Sequence, residues 1–184
     1  MPSFVSAARR IPTTLLLAAP LTLVIAFAGA ASASARPYHH VINAYSGRAL
    51  MPKDGSTAWG TTIVQQNRVP SSAAQMWFIE HVGSAGETEI WRFKNRQSNR
   101  CIHPSDWSGL NGTRLLQATC SNNPEAKWYR YSDATGTKLS FQSVRTWDFM
   151  DISNGSTLPG ANAVQNDDYG SLSQRWRLEY AGDF

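Results

Sequence analysis

The side chains that most often carry out catalysis are few in this chain and poorly placed for it. Cys101 and Cys120 are its only cysteines, and His39, His40, His81 and His103 its only histidines. The histidines fall in no spacing that metal ligation uses, and no nucleophile–base constellation appears. Breaking a glycosidic bond needs two carboxylates flanking it. Asp167 and Asp168 are adjacent in the sequence, so on a strand they would face opposite ways. The chain is therefore expected to be no enzyme and to hold no metal or cofactor. Its polar groups are left with reversible recognition, which depends on the elements that present them.

Those elements are announced by a repeat. Trp77, Trp128 and Trp176 recur 51 and 48 residues apart, inside Gln75-Met76-Trp77, Ala126-Lys127-Trp128 and Gln174-Arg175-Trp176. A glycine stands 17, 16 and 16 residues upstream (Gly60, Gly112, Gly160), and a glutamine follows each glycine by five (Gln65, Gln117, Gln165). Ten residues before each glycine comes Leu50, Ile102 or Met150, and nine before that Val41, Phe93 or Phe141. One such unit cannot bury its apolar face alone, so the three must pack together. An aromatic at one register of every repeat is what a shared core requires. The three tryptophans are assigned to that core rather than to a ligand.

The N-terminus reads as an address. Arg9 and Arg10 precede an apolar run from Leu15 to Ala28, broken by Pro20, and Ala33-Ser34-Ala35 matches a cleavage pattern. The run is short of the ~20 residues a membrane span needs. A secretion signal over residues 1–35 is expected, leaving 184 − 35 = 149 residues, enough for one domain over 36–184. Cleavage removes two arginines, so 17 − 2 = 15 basic side chains face 13 acidic ones, a net charge of +2. No basic run is long enough to follow a phosphate backbone, which disfavours nucleic acid as a partner, and no membrane association is expected after cleavage. Export places the two cysteines in an oxidising environment, where a structural bridge is expected.

Short strands dominate the remainder. Gly, Asn, Asp, Ser and Pro recur at close intervals between alternating segments such as Tyr38–Asn43, Ile90–Asn95 and Lys138–Ser143. Thr62–Gln66, Arg114–Ala118 and Asn162–Asn166 form a second set, and Trp77–His81, Trp128–Tyr131 and Trp176–Tyr180 a third. No stretch sustains a helical period. Three copies of about four strands predict an all-β fold of about twelve strands. Closure into a pseudo-threefold barrel would remove free edges. That is a β-trefoil, with repeats at about 38–89, 90–137 and 138–184.

From Tyr38 to Tyr180 these motifs resemble the ricin-type (R-type, ricin B-like) β-trefoil lectins, carbohydrate-binding modules marked by three Q-x-W repeats. Two of the three motifs are intact and the second has Ala126 in place of glutamine. The resemblance implies a module that binds a polysaccharide or glycan without catalysis; with the leader, a secreted, extracellular monomer is expected. Members often carry a disulfide within a repeat where Cys101 and Cys120 stand. Closing a loop of about twenty residues would stabilise the fold by ~3 kcal/mol.

The resemblance also implies where a sugar would sit. The hydroxyl acceptor in such lectins is an aspartate directly after the apolar residue of the early motif. Only the third repeat keeps it, as Asp151; the first has Met51 and the second His103. Gln165, Asn166, Asp168 and Tyr169 follow from the next strand and its loop, and Gln174 closes the set. A carboxylate accepts two hydroxyls through the stronger, charge-assisted kind of bond, and Tyr169 would offer a stacking face. A second reading stands beside this one. Asp151 can serve the turn Ser153-Asn154-Gly155, and a glutamine in every repeat can satisfy backbone groups between strands. Asn111-Gly112 and Asn154-Gly155 are read as type I′ turns. The rival function is a protein-binding or inhibitory trefoil that has lost sugar binding, with Trp59 and Trp107 as loop anchors.

Overall fold

A computed structural model describes Ser3 and residues 35–184, so the expected secretion signal lies almost wholly outside the described residues. Twelve strands follow one another: β1 (Pro37–Asn43), β2 (Ala49–Pro52), β3 (Ile63–Gln66), β4 (Trp77–Ala85), β5 (Thr88–Asn95) and β6 (Cys101–Pro104), then β7 (Thr113–Ala118), β8 (Trp128–Ser132), β9 (Leu139–Ser143), β10 (Phe149–Ile152), β11 (Ala163–Asn166) and β12 (Trp176–Asp183). Among the described residues the helical segments are only three-residue 3₁₀ turns.

Six strands close a barrel. Antiparallel pairing runs β1–β4–β5–β8–β9–β12 and returns to β1. The other six form three hairpins, β2–β3, β6–β7 and β10–β11. Strands β7 and β11 pair, and bridges Thr62–Leu116 and Val64–Asn162 tie the hairpins into a cap over one end. This is the β-trefoil that the repeat implies. A closed ring leaves no barrel strand with an unpaired edge, which removes the usual route to sheet-to-sheet aggregation.

The repeated apolar columns meet on the pseudo-threefold axis. Trp77, Trp128, Trp176, Phe93, Phe141, Leu50, Ile102 and Met150 are wholly buried in one cluster. Phe93 and Phe141 pack edge-to-face, with centroids 4.7 Å apart and planes at 88°. Burying an indole strands its N–H unless an acceptor is supplied. Each tryptophan solves this alike: Nε1 donates to the carbonyl of Leu50, Ile102 or Met150 at 3.0, 3.3 and 3.2 Å. The residue that fills the core beside each indole thus also satisfies it.

Loops are tied down by two kinds of brace. In the first and third repeats the Q-x-W glutamine lies under the loop after β3 or β11. Gln75 Nε2 donates to the Asn67 carbonyl at 2.8 Å and its Oε1 accepts from Val69 N at 2.7 Å. Gln174 makes the same pair of bonds with the Asp167 carbonyl, 2.6 Å, and Tyr169 N, 2.9 Å. The second repeat has Ala126 there and uses the Cys101–Cys120 disulfide instead, Cα–Cα 4.9 Å, to fasten the loop after β7 to β6.

The second glutamine column spans repeats. Gln65 Oε1 accepts from the Ser46 hydroxyl, and Nε2 donates to the carbonyls of Ser156 and Leu158. Gln117 does the same with Ser98, Ser56 and Ala58. Gln165 accepts from Thr146 at 2.8 Å, yet its Nε2 is buried without a partner. The cause lies in the second repeat's loop. Gly55 and Gly155 have φ of 67° and 59°, following Asp54 and Asn154 at 56° and 54°. Positive φ at both central residues is the mark of a type I′ turn. The equivalent of those glycines is Trp107, which avoids the left-handed region, so the loop takes another path and its carbonyls miss Gln165. The turn expected at Asn154-Gly155 is therefore type I′. At Asn111-Gly112 only Gly112 has positive φ, 82°, as in a type II turn.

Candidate functional site

The third repeat gathers its polar residues at one end of the β10–β11 hairpin. Asp151 lies opposite Val164 in the ladder, which puts it on the same face as Asn166 two residues on. Asn166 Nδ2 donates to Asp151 Oδ2 at 2.8 Å, and Ile152 N donates to Oδ1 at 2.6 Å. Each carboxylate oxygen has two lone pairs, so each retains one that these bonds do not use. The second hydrogen of Asn166 Nδ2 adds a donor, while its Oδ1 is held by Gly112 N at 2.8 Å. Asp151 is only 3% exposed and forms the floor; Tyr169, 60% exposed, stands at the mouth. They line an open depression of ≈ 360 Å³ with Asn154, Gly155, Ser171 and Ser173.

The loop that carries Tyr169 is fixed from two sides. Gln174 braces it from beneath, as described. From the second repeat, Asn111 Oδ1 accepts from Asp167 N at 2.7 Å while its Nδ2 donates to Asp167 Oδ2 at 2.8 Å. The ring is thus presented on an ordered segment rather than on a free tip, which lowers the entropy lost on binding.

Three of the six expected contacts, Asp151, Asn166 and Tyr169, come together in this depression. The other three do not. Gln165 and Gln174 are wholly buried: Gln165 accepts from Thr146, and Gln174 spends both ends of its amide on the loop above it, so their place is beneath the depression. A side chain in the ladder position of β11 that points to the barrel axis cannot also face solvent. Asp168 turns to the opposite side of the loop, 3.6 Å from Arg175 in an ion pair. Ser171, Ser173, Asn154 and Gly155 were not expected; the Asn-Gly turn directly after Asp151 was the available clue, because such a turn folds back over the strand end.

The matching places in the other repeats lack this chemistry. Met51 offers a thioether, which the Gln75 amide meets at 3.6 Å. His103 is buried, with Nε2 unpartnered. Burial pushes its pKa below the ordinary value, against the weaker pull of Glu125 and a backbone bond at Thr119. Opposite Met51 and His103, the places of Asn166 are taken by Gln66 and Ala118. Near the third site, Asp148 is buried with Oδ2 unpartnered; burial, then the charge of Asp167, raises its pKa. Trp59 and Trp107 are exposed on their loops, with the Arg145 guanidinium 5.6 Å from the Trp107 ring.

The family model described as "Ricin-type beta-trefoil lectin domain-like" matches residues 27–117 and 75–165. No curated protein sequence matches the chain. Among solved structures it is similar to ThreeFoil, a designed threefold-symmetric protein, with TM-score 0.71, 23% identity, and 77% of this chain and 97% of that one covered. It is similar to an exo-beta-1,3-galactanase from Clostridium thermocellum, with TM-score 0.71 and 26% identity over 78% of this chain. The chain spans only 30% of that galactanase. A Macrolepiota procera ricin B-like lectin, solved with lactose, gives TM-score 0.63 and 17% identity over 80% and 97% of the two chains.

Proposed function

Since the chain belongs to the ricin-type β-trefoil lectin family, we propose that it is a non-catalytic carbohydrate-binding module whose sugar site is the third-repeat depression. The observation that carries this is the Asp151–Asn166 pair. It is found in one repeat of three, keeps a free lone pair on each carboxylate oxygen, and faces an exposed tyrosine. Two adjacent hydroxyls of a pyranose fit such a carboxylate, and the apolar face of the ring fits an aromatic side chain. The sugar in the Macrolepiota lectin supports the ligand class only. In this reading the mature module runs from residue 36 to 184 after removal of a secretion signal over 1–35. It acts outside the cell as a monomer. One shallow, preformed site binds a free sugar weakly, so useful retention comes from many copies meeting a polymer or a surface.

Immobilised glycans and polysaccharides, probed with the mature protein and with Asp151→Ala, test the proposal. Retention by the wild type and at least tenfold loss in the variant, with an unchanged Tm, is the expected result. Retention by the variant equal to the wild type would remove the site. No retention on any glycan by the wild type would favour a protein-binding trefoil, in which the exposed Trp59 and Trp107 are the anchors to substitute next.

A further inference from the structure

The pseudo-threefold axis relates three places on the barrel wall, each made by the first and third residues after the tryptophan of the repeat, by one residue of the turn before the next hairpin, and by the first residue of that hairpin. In one copy these are Phe78 and Glu80 with Asn99 and Cys101; in another, Arg177 and Glu179 with Gly47 and Ala49. In the remaining copy all four are aromatic: Tyr129 and Tyr131 on β8, with Trp147 and Phe149. Tyr129 lies 5.5 Å from Trp147 between ring centroids, and Tyr131 lies 6.1 Å from Phe149. The fold does not require this strip, because two equivalent positions manage without it.

Trp147 makes the point sharper. It is 63% exposed and has φ of 69°, in the left-handed region. Its counterparts there are Gly47 and Asn99, residue types that tolerate the conformation. A bulky side chain held exposed at a strained backbone position is a pointer to function.

We propose that this strip is a second carbohydrate-binding surface, one that takes a neutral polysaccharide chain. The Tyr131–Phe149 pair lines an open hollow of ≈ 420 Å³, together with Gln142, Asp133, Asp168 and Arg175 among others. Gln142 joins the two pairs: its Nε2 donates to the Trp147 carbonyl at 2.6 Å and its Oε1 accepts from the Tyr131 hydroxyl at 2.9 Å. The Asp168–Arg175 ion pair presents an acceptor and a donor that cancel in charge, and Asp133, the other carboxylate of the lining, is occupied by its own turn, accepting from Thr135 Oγ1, Thr137 N and Lys138 N. Ring faces with hydrogen-bonding groups at their edges match a pyranose chain, apolar above and below and hydroxylated around its rim. A charged ligand would meet opposite signs, and a purely apolar one would leave the ion pair and amide unsatisfied.

The surface also adjoins the third-repeat depression. Asp168 and Tyr169 are consecutive, yet one lines the hollow and the other the depression. A chain bound at one site therefore runs close to the other. The proposal extends the carbohydrate reading of the third repeat but rests on different residues.

Electrophoretic retardation of the mature protein by soluble xylan, β-glucan, arabinogalactan and galactomannan tests it, alongside NMR titration with mono- and disaccharides. Trp147→Gly installs the residue its φ favours, so its Tm should equal or exceed that of the wild type. Its retardation by the polymer that the wild type recognises should weaken on the order of tenfold, with small-sugar binding intact. Tyr131→Ser should weaken polymer binding likewise, and Asp151→Ala should abolish the small-sugar shifts. Polymer retardation indifferent to both Trp147→Gly and Tyr131→Ser, or absent from the wild type, overturns the strip while small-sugar binding still tests Asp151. Absence of small-sugar shifts in the wild type, with a Trp147-dependent retardation, would instead overturn the third-repeat site and leave the strip standing.

Discussion

Asp151 and His103 occupy the same place in two repeats, and their surroundings give them different chemistry. Asp151 is bonded once at each oxygen and opens onto a depression. His103 is buried with an unpartnered ring nitrogen, so its neutral form is the one the fold accommodates. A histidine whose folded pKa lies below its unfolded value costs no stability at high pH, where both states are neutral. The cost appears as pH falls below the unfolded value of about 6.5 and is complete below the folded one. His39 and His40 are shifted in the same direction by burial. The Tm of the mature protein should therefore fall as pH drops from 7 towards 5, and His103→Gln should make that fall shallower. An identical slope in the variant would show that His103 is not one of the groups responsible.

At the scale of elements, one side chain in one loop has an effect in another repeat. Trp107 replaces the glycine of the type I′ turn, the loop departs from its equivalents, and Gln165 Nε2 is left buried without an acceptor. An unsatisfied buried donor costs about 1–3 kcal/mol. Trp107→Gly should restore the turn and offer the amide the carbonyls its counterparts Gln65 and Gln117 use. The expected gain is about 1 kcal/mol or more, a rise in Tm of roughly 2–4 °C. A Tm that stays level or drops would sink this account of the loop. The braces under the loop of the proposed site follow the same logic: Gln174 and Asn111 hold the backbone on either side of Tyr169.

For the whole molecule, stability rests on the shared interior and on closure of the ring. Each indole fills one third of the axis and is satisfied by a carbonyl of its own repeat. Deleting one leaves a cavity and an unpaired carbonyl together. Trp128→Ala should cost about 3–5 kcal/mol, a large part of the total stability of a domain this size. Denaturant melts followed by far-UV circular dichroism would measure it. A loss confined to the second repeat, with the rest folded at the original midpoint, would contradict a single cooperative core.

How much was legible in the sequence depended on whether a residue's role is periodic. Trp77, Trp128, Trp176, Phe93, Phe141 and the Leu50 column recur because the threefold interior demands them, so spacing alone located the core, the strands and the trefoil. Asp151 was singled out by the family resemblance and not by spacing: it stands where such lectins place their acceptor, in a column that holds Met51 and His103 in the other repeats. Tertiary structure alone decided which polar side chains face outwards. Gln165 and Gln174 sit beside the site in sequence yet point inwards, because ladder position and a loop's turn fix side-chain direction and one-dimensional spacing does not. Asp168 and Tyr169, neighbours in the chain, part to opposite sides of their loop for the same cause. The strip of Tyr129, Tyr131, Trp147 and Phe149 joins two segments that only the closing of the barrel brings together.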